Sequence, residues 1–193
     1  MITNYMLATF CEQALKQKTL YMWGTYGKPI TKSLIVDKTK QYPTKYSETR
    51  QAYLKKHIDG KTRGCDCAGL IKWALWTNAS INSPIKYDSK TDRGVNGLYN
   101  AATSKGLIGT MPEERGIIVY KSGHVGVYVG NGYVVECTLG NRGDGVVKTK
   151  LSAAGWTHWL KIPEVMYVSE EDKKLGGKKL NIFEKLGKLI KGI

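Results

Sequence analysis

The chain has 193 residues, 41% of them hydrophobic, which is enough for one domain with a packed core and some length to spare. Its net charge of +14 bears on partners and not on fold: nucleic acid, an anionic membrane or an anionic cell wall. No zinc-finger, RNP or basic-zipper pattern accompanies the charge, so nucleic acid has no further support, and no stretch approaches the roughly 20 apolar residues of a membrane span.

Residues 4–17 read as a helix capped by Thr3 or Asn4, with Leu7, Phe10, Cys11, Ala14 and Leu15 at helical spacing. An aromatic, glycine-rich turn follows, Tyr21-Met22-Trp23-Gly24-Thr25-Tyr26-Gly27. Residues 28–63 read as a basic insertion, with ten Lys or Arg against three acids and a short helix over 47–58. The stretch from Cys65 opens a second helix reaching Thr77, with Leu70, Ile71, Ala74 and Leu75 as its buried stripe. A third helix is expected over 95–104, stopped by Gly106.

After Pro112 the apolar period changes from 3.6 to 2. Strands are expected at 116–120, 124–129, 133–138, 146–151 and 156–162, with Gly130-Asn131-Gly132 turning a hairpin. Helices first and an antiparallel sheet second make the class α+β. Residues 1–168 form the expected folded domain and 169–179 a linker. Residues 180–193 read as an amphipathic basic helix, with Ile182, Phe183, Leu186, Leu189, Ile190 and Ile193 on one face.

Four cysteines stand at 11, 65, 67 and 137. Cys65 and Cys67 are too close to bridge each other comfortably, and no Cys-x-x-Cys pair is present, so neither a disulfide framework nor a structural zinc site is expected. Free thiols fit synthesis in a reducing compartment. The start Met1-Ile2-Thr3-Asn4-Tyr5 lacks the charged and apolar runs of a signal peptide, so the expectation is cytoplasmic synthesis. Two Phe stand against twelve Tyr and five Trp. Such amphipathic aromatics either finish a small core or line a cleft for a polar, extended ligand.

Cys67 is the candidate nucleophile. Placement at a helix N-terminus lowers a thiol pKa, and Asp66 is a natural N-cap for the apolar pattern that starts after it. Unpaired first-turn amides, including that of Cys67, point where an oxyanion would form. Gly69 would let this helix approach other backbone closely. The plain alternative is a buried, inert cysteine.

Of three histidines, His57 lies among lysines of the insertion and His158 in a late strand, where packing is the simpler role. His124 shares a strand face with Gly126, which leaves room beside the ring, and it is the candidate base. Glu136 is the candidate orienting residue, subject to hairpin register. A two-residue Asn131-Gly132 turn pairs Glu136 with Val127 and faces it away. A three-residue loop, 130–132, pairs 126 with 136 and sets Glu136 diagonally beside His124. A carboxylate there favours a thiolate–imidazolium pair; otherwise Glu136 is a surface glutamate.

These residues resemble the motifs of the NlpC/P60 cysteine peptidase superfamily. Tyr21-Met22-Trp23-Gly24 is similar to its Tyr-x-Trp-Gly motif, Asp66-Cys67-Ala68-Gly69-Leu70 to its Asp-Cys-Ser-Gly-Leu nucleophile motif, and Gly123-His124-Val125-Gly126-Val127-Tyr128-Val129-Gly130 to its base strand. The resemblance covers about residues 1–165. It implies a papain-like fold, N-terminal helices packed on a central antiparallel sheet. It implies hydrolysis of an amide bond in peptidoglycan stem peptides by Cys67, His124 and Glu136, with no metal or cofactor, most simply as an endopeptidase. Tyr21, Trp23 and Asp66 are then the substrate-binding candidates.

Ala68 stands where the family usually has serine, and Glu136 where it has His, Asn or Gln. The glutamate resembles the related CHAP enzymes, which makes an N-acetylmuramoyl-L-alanine amidase the alternative. The insertion is longer than a minimal member carries and separates Tyr21 from the nucleophile. A basic protein of this type resembles a phage lysin, concentrated on anionic wall polymers by its charge and released by a holin or in the virion. A non-enzymatic cationic wall- or membrane-binding protein remains the reading from charge alone. The segment 180–193 either contacts an anionic membrane or docks or self-associates through its apolar face.

Overall fold

The computed structural model describes residues 1–169. The linker and amphipathic helix expected over 169–179 and 180–193 lie outside the described residues, apart from Ser169. The first helix forms as its spacing predicts. β1 (Ile2–Thr3) leads into α1 (Asn4–Ala14), where the Thr3 hydroxyl accepts from the Met6 amide. Leu7, Phe10, Cys11 and Ala14 are fully buried. The helix ends at Ala14, short of residue 17.

The basic insertion carries more structure than its one expected helix. β2 (Thr19–Tyr21), β3 (Tyr26–Pro29) and β4 (Arg63–Cys65) form a small sheet in the order β2–β4–β3. Between β3 and β4 run α2 (Lys32–Gln41), a 3₁₀ turn (Pro43–Lys45) and α3 (Glu48–Lys55). They close over a core of their own, made by Leu20, Met22, Ile30, Ile35, Tyr46 and Leu54. α2 escapes the periodicity argument because Ile35 is its one buried residue, which is too narrow an apolar stripe to read.

α4 (Cys67–Trp76) begins at its expected cap, Asp66. α5 (Val95–Ala101) is shorter than expected, and β5 (Ser104–Leu107) is extended where the third helix was expected to finish. The strand forms because β10 (His158–Lys161) pairs with it, a long-range contact that local pattern cannot show.

The large sheet has the order β5–β10–β6–β7–β8–β9, with β6 at Ile118–Lys121, β7 at His124–Gly130, β8 at Tyr133–Gly140 and β9 at Gly143–Lys150. Every neighbouring pair in it is antiparallel. Val125, Val127, Val129, Val135 and Cys137 face α1 and α4 and share one core with Phe10, Leu70, Ile71 and Trp73. Val119, Tyr128 and Val134 belong to a second core containing Trp156. The fold is therefore α+β, helices on a central antiparallel sheet.

The first and last described strands meet across the domain. β11 (Val165–Met166) pairs in parallel with β1, and the Asn4 side chain accepts from the Val168 amide at 3.0 Å and donates to the Arg115 carbonyl at 2.8 Å. Among the described residues no helix is long and apolar enough to cross a membrane.

Candidate active site

The register of one hairpin decides whether Glu136 reaches His124. In the β7–β8 ladder Gly126 pairs with Glu136, as the candidate triad requires. The means differs from the three-residue loop expected. Gly130 pairs with Tyr133, so the turn itself is Asn131-Gly132, and the extra residue is absorbed as a bulge between Tyr128 and Gly130. Asn131 and Gly132 both have positive φ, 54° and 73°, as a two-residue hairpin turn needs. A bulge shifts register by one, and so does the work assigned to the longer loop.

Glu136 is completely buried, and its carboxylate is fully engaged. Oε2 lies 2.5 Å from His124 Nε2; Arg142 reaches both oxygens, Nε to Oε1 at 3.0 Å and Nη2 to Oε2 at 3.1 Å; the Thr149 hydroxyl donates to Oε1 at 2.8 Å. Burial pushes the Glu136 pKa up, but the hydrogen bonds from His124, Arg142 and Thr149 outweigh it and hold the carboxyl at about 2. It is a carboxylate at neutral pH. Sequence reasoning missed Arg142 and Thr149. Arg142 sits in the β8–β9 turn, and only the β8–β9 register brings it beside Glu136.

The room expected beside His124 is filled by an aromatic ring. Trp156 stacks on the imidazole, 5.3 Å between centroids at 11°. A Cβ on Gly126 would fall 2.5 Å from the Val134 side chain and 3.3 Å from the same indole, so the glycine makes space for Val134 first and for Trp156 with it. His158 packs edge-on against Tyr99, and His57 Nδ1 lies 2.9 Å from the Tyr53 carbonyl, so neither belongs to this site.

Cys67 is the first residue of α4 and is 4% exposed. The Val125 amide hydrogen-bonds its sulfur, and Gly123 lines the same cleft as Cys67. Of the two neighbours of His124, Val125 thus acts on the thiol and Gly123 lines the cleft that holds it. The expected lowering of the thiol pKa is not what the structure gives. Burial and then the neighbouring Asp66 carboxylate push it up to about 12, against the opposing amides of Val125 and Ala68. The helix-terminus contribution exists but loses to desolvation. Cys11, Cys65 and Cys137 are also buried, and all four thiols are free.

Asp66 spends both oxygens on backbone. Oδ1 accepts from Gly69 at 2.6 Å as the helix cap, and Oδ2 accepts from Gly24 at 2.7 Å. It binds the Trp23-Gly24 turn to the start of α4. Gly69 makes the close approach expected of it, because a Cβ there would fall 1.9 Å from the Thr25 carbonyl oxygen. The Tyr21 ring is desolvated and feels Cys67, both of which push its phenol pKa up. Its backbone is fixed from the insertion and from β9: Arg50 donates to the Tyr21 carbonyl and ion-pairs with Asp144, which accepts from the Tyr21 amide at 2.9 Å.

The cleft at Cys67 has a volume of about 520 Å³. Trp23, Gly24 and Tyr42 line one side of it, and Asp92 and residues 94–97 also contribute. A larger cavity of about 620 Å³ lies at the other end of α4, beside Trp76 and Thr77, and contains none of the candidate residues. Among the described residues no group of three or more His, Cys, Asp or Glu is arranged to hold a metal ion.

No family model matches the chain, and no curated protein does. Solved structures do match. The peptidoglycan hydrolase RipB of Mycobacterium tuberculosis aligns at 19% identity with a TM-score of 0.46, over 82% of this chain and 66% of that one. The P60 domain of an antigen from M. avium subspecies paratuberculosis aligns at 18% identity and 0.44, over 82% of this chain and 96% of that one. The NlpC/P60 domain of the peptidoglycan hydrolase SagA aligns at 11% identity and 0.44, over 83% of this chain and all of that one, 100%. The likeness is one of fold. The chemistry has to be argued from the side chains.

Proposed function

We propose that this chain is a cysteine-dependent peptidoglycan hydrolase of the NlpC/P60 type, cleaving an amide bond of the wall peptide. The observation that carries the reading is a buried carboxylate, Glu136, held 2.5 Å from the imidazole of His124, next in sequence to the amide that contacts the Cys67 sulfur. A histidine fixed at Nε2 has Nδ1 left to exchange a proton with a thiol.

In this mechanism His124 takes the Cys67 proton as the sulfur attacks the substrate carbonyl carbon. The oxyanion forms at the start of α4, where the Cys67 amide has no intrahelical partner, the Gly69 amide being taken by Asp66. The imidazolium then gives its proton to the leaving amine as the C–N bond breaks. Water, deprotonated by His124, hydrolyses the thioester and restores the thiol. Because burial keeps the free thiol neutral, the base is needed at the moment of attack. Asp66 positions the nucleophile, while Tyr21 and Trp23 provide walls for the substrate.

An endopeptidase of phage-lysin type fits the resemblance of the motifs and the net charge. Glu136 in the third position favours one alternative, an amidase of the CHAP kind. Digesting purified walls and weighing the fragments separates them: an endopeptidase releases cut stem peptides, whereas an amidase releases peptides starting at L-alanine. Replacing Cys67→Ala is expected to abolish release of either while leaving the circular dichroism spectrum and melting temperature close to wild type. Hydrolysis retained in a folded Cys67→Ala protein would sink the mechanism.

A further inference from the structure

Two cations that the bond-breaking steps do not use stand against rings at the edge of the cleft, without lining it themselves. Lys45 Nζ lies 4.6 Å from the centroid of Trp23, and Lys38 Nζ lies 5.5 Å from that of Tyr42. Both rings line the cleft beside Cys67. The position of Tyr42 is tightly set, since a Cβ on Gly24 would fall 2.5 Å from its ring. Gly24 is in turn held by Asp66, the residue before the nucleophile. A short chain of contacts thus runs from Cys67 through Asp66, Gly24 and Tyr42 to Lys38.

Their charges are not matched. Among the described residues neither Lys38 nor Lys45 has a carboxylate partner; Lys38 donates to the neutral side-chain oxygen of Gln41. Lys72, which lines the cleft itself, differs in being paired with Asp92 at 2.8 Å. Burial, then Lys28 and Lys72, work against the ammonium of Lys38 and outweigh the opposing carboxylates of Asp66 and Asp92, so a bound anion there adds to a compensation that is incomplete. Both lysines come from the insertion, on α2 and the 3₁₀ turn after it.

We propose that Lys38 and Lys45, set by Tyr42 and Trp23, form a subsite for a free carboxylate of the substrate peptide, so that the enzyme prefers acidic stem peptides to their amidated forms. This rests on the reading of Cys67 as a wall-peptide nucleophile. Charge-assisted hydrogen bonds of this type correspond to roughly tenfold in affinity or more.

The test uses the full chain carrying Cys67→Ala, which binds without turnover, and calorimetric titration with two synthetic stem tetrapeptides. They are identical except that the D-glutamyl α-carboxylate of one is a carboxamide in the other. The expected result is about tenfold tighter binding of the carboxylate form, abolished when Lys38→Gln and Lys45→Gln are added. Equal binding of both peptides by the parent, or a preference that survives the two lysine changes, overturns the subsite. Binding of neither peptide overturns the wall-peptide reading itself and the subsite with it. Titration with glycerol phosphate identifies the other anion source: tighter binding than the acidic peptide, lost with the lysines, would assign the site to wall-polymer phosphate and overturn the carboxylate proposal.

Discussion

Glu136 has four donor contacts on two oxygens, and this has a measurable consequence in acid. Its carboxyl is held at about 2, against an ordinary value of 4.5. A depressed folded-state pKa stabilises the protein above the unfolded value, and the contribution is lost as pH falls from 4.5 through about 2. The shift corresponds to about 3 kcal/mol. Arg142→Gln removes a charged donor, so the folded pKa should rise toward its ordinary value. Denaturant midpoints measured between pH 5 and pH 2 should then fall less than in wild type, starting from a lower neutral-pH stability. An acid loss as large as that of wild type would show that Arg142 does not hold the carboxylate. At this scale the placement of Cys67 at a helix start and of His124 at the head of a strand is legible in the sequence. Arg142 and Thr149 are not, because a turn residue and a neighbouring strand acquire meaning only once register is known.

Elements meet at Gly69 and Arg50. Gly69→Ala puts two effects in opposition. Alanine raises helix propensity by about 1 kcal/mol. Its methyl group, however, would lie 1.9 Å from the Thr25 carbonyl oxygen, a backbone atom that cannot step aside without moving the Trp23-Gly24 turn. Overpacking of this kind costs up to about 3 kcal/mol, so the clash should win. The expected outcome is a net destabilisation on the order of 1–2 kcal/mol in chemical denaturation. A neutral or stabilising result would mean that α4 and Thr25 are not in contact as described. Arg50 is the tie between α3, Tyr21 and Asp144, so the insertion is wired to the site although its apolar pattern is weak. The insertion is legible from its charge, but only one of its two helices and none of the small sheet is legible from pattern. β2 and β4 are three residues each, too short for a period to show, and they pair across some forty residues of chain. β5 was misread for a related reason: its partner, β10, lies far along the chain.

At the scale of the whole molecule, charge is the dominant feature. On the proposed function, a net charge of +14 should concentrate the protein on anionic walls, and added salt should weaken this as the screening length falls from about 10 Å at 0.1 M to about 3 Å at 1 M. Binding of the Cys67→Ala protein to purified walls is therefore expected to drop steeply between 0.05 and 0.5 M sodium chloride, in roughly the range where surface attractions are screened. Salt-independent binding would point to contacts other than charge. The order of helices before sheet, and hence the α+β class, was legible because the apolar period changes once, near Pro112. The division of the sheet's two faces between separate cores was not, since both faces of β7 are buried.

The pairing of β1 with β11 brings residues 2–3 and 165–166 side by side, and Asn4 fastens Val168 to the same place. Residues 1–168 are thus topologically almost a ring. For a domain cut at residue 168, where the termini sit is then a matter of where the ring is opened, since joining adjacent points costs little loop entropy. A circular permutant that links residue 168 to residue 1 through a short Gly-Ser segment, and opens at the exposed Gly60–Lys61 bond, should fold and melt within a few degrees of the parent domain. A permutant that fails to fold would show that the parallel clasp between the ends forms only after the rest of the chain has set them in place.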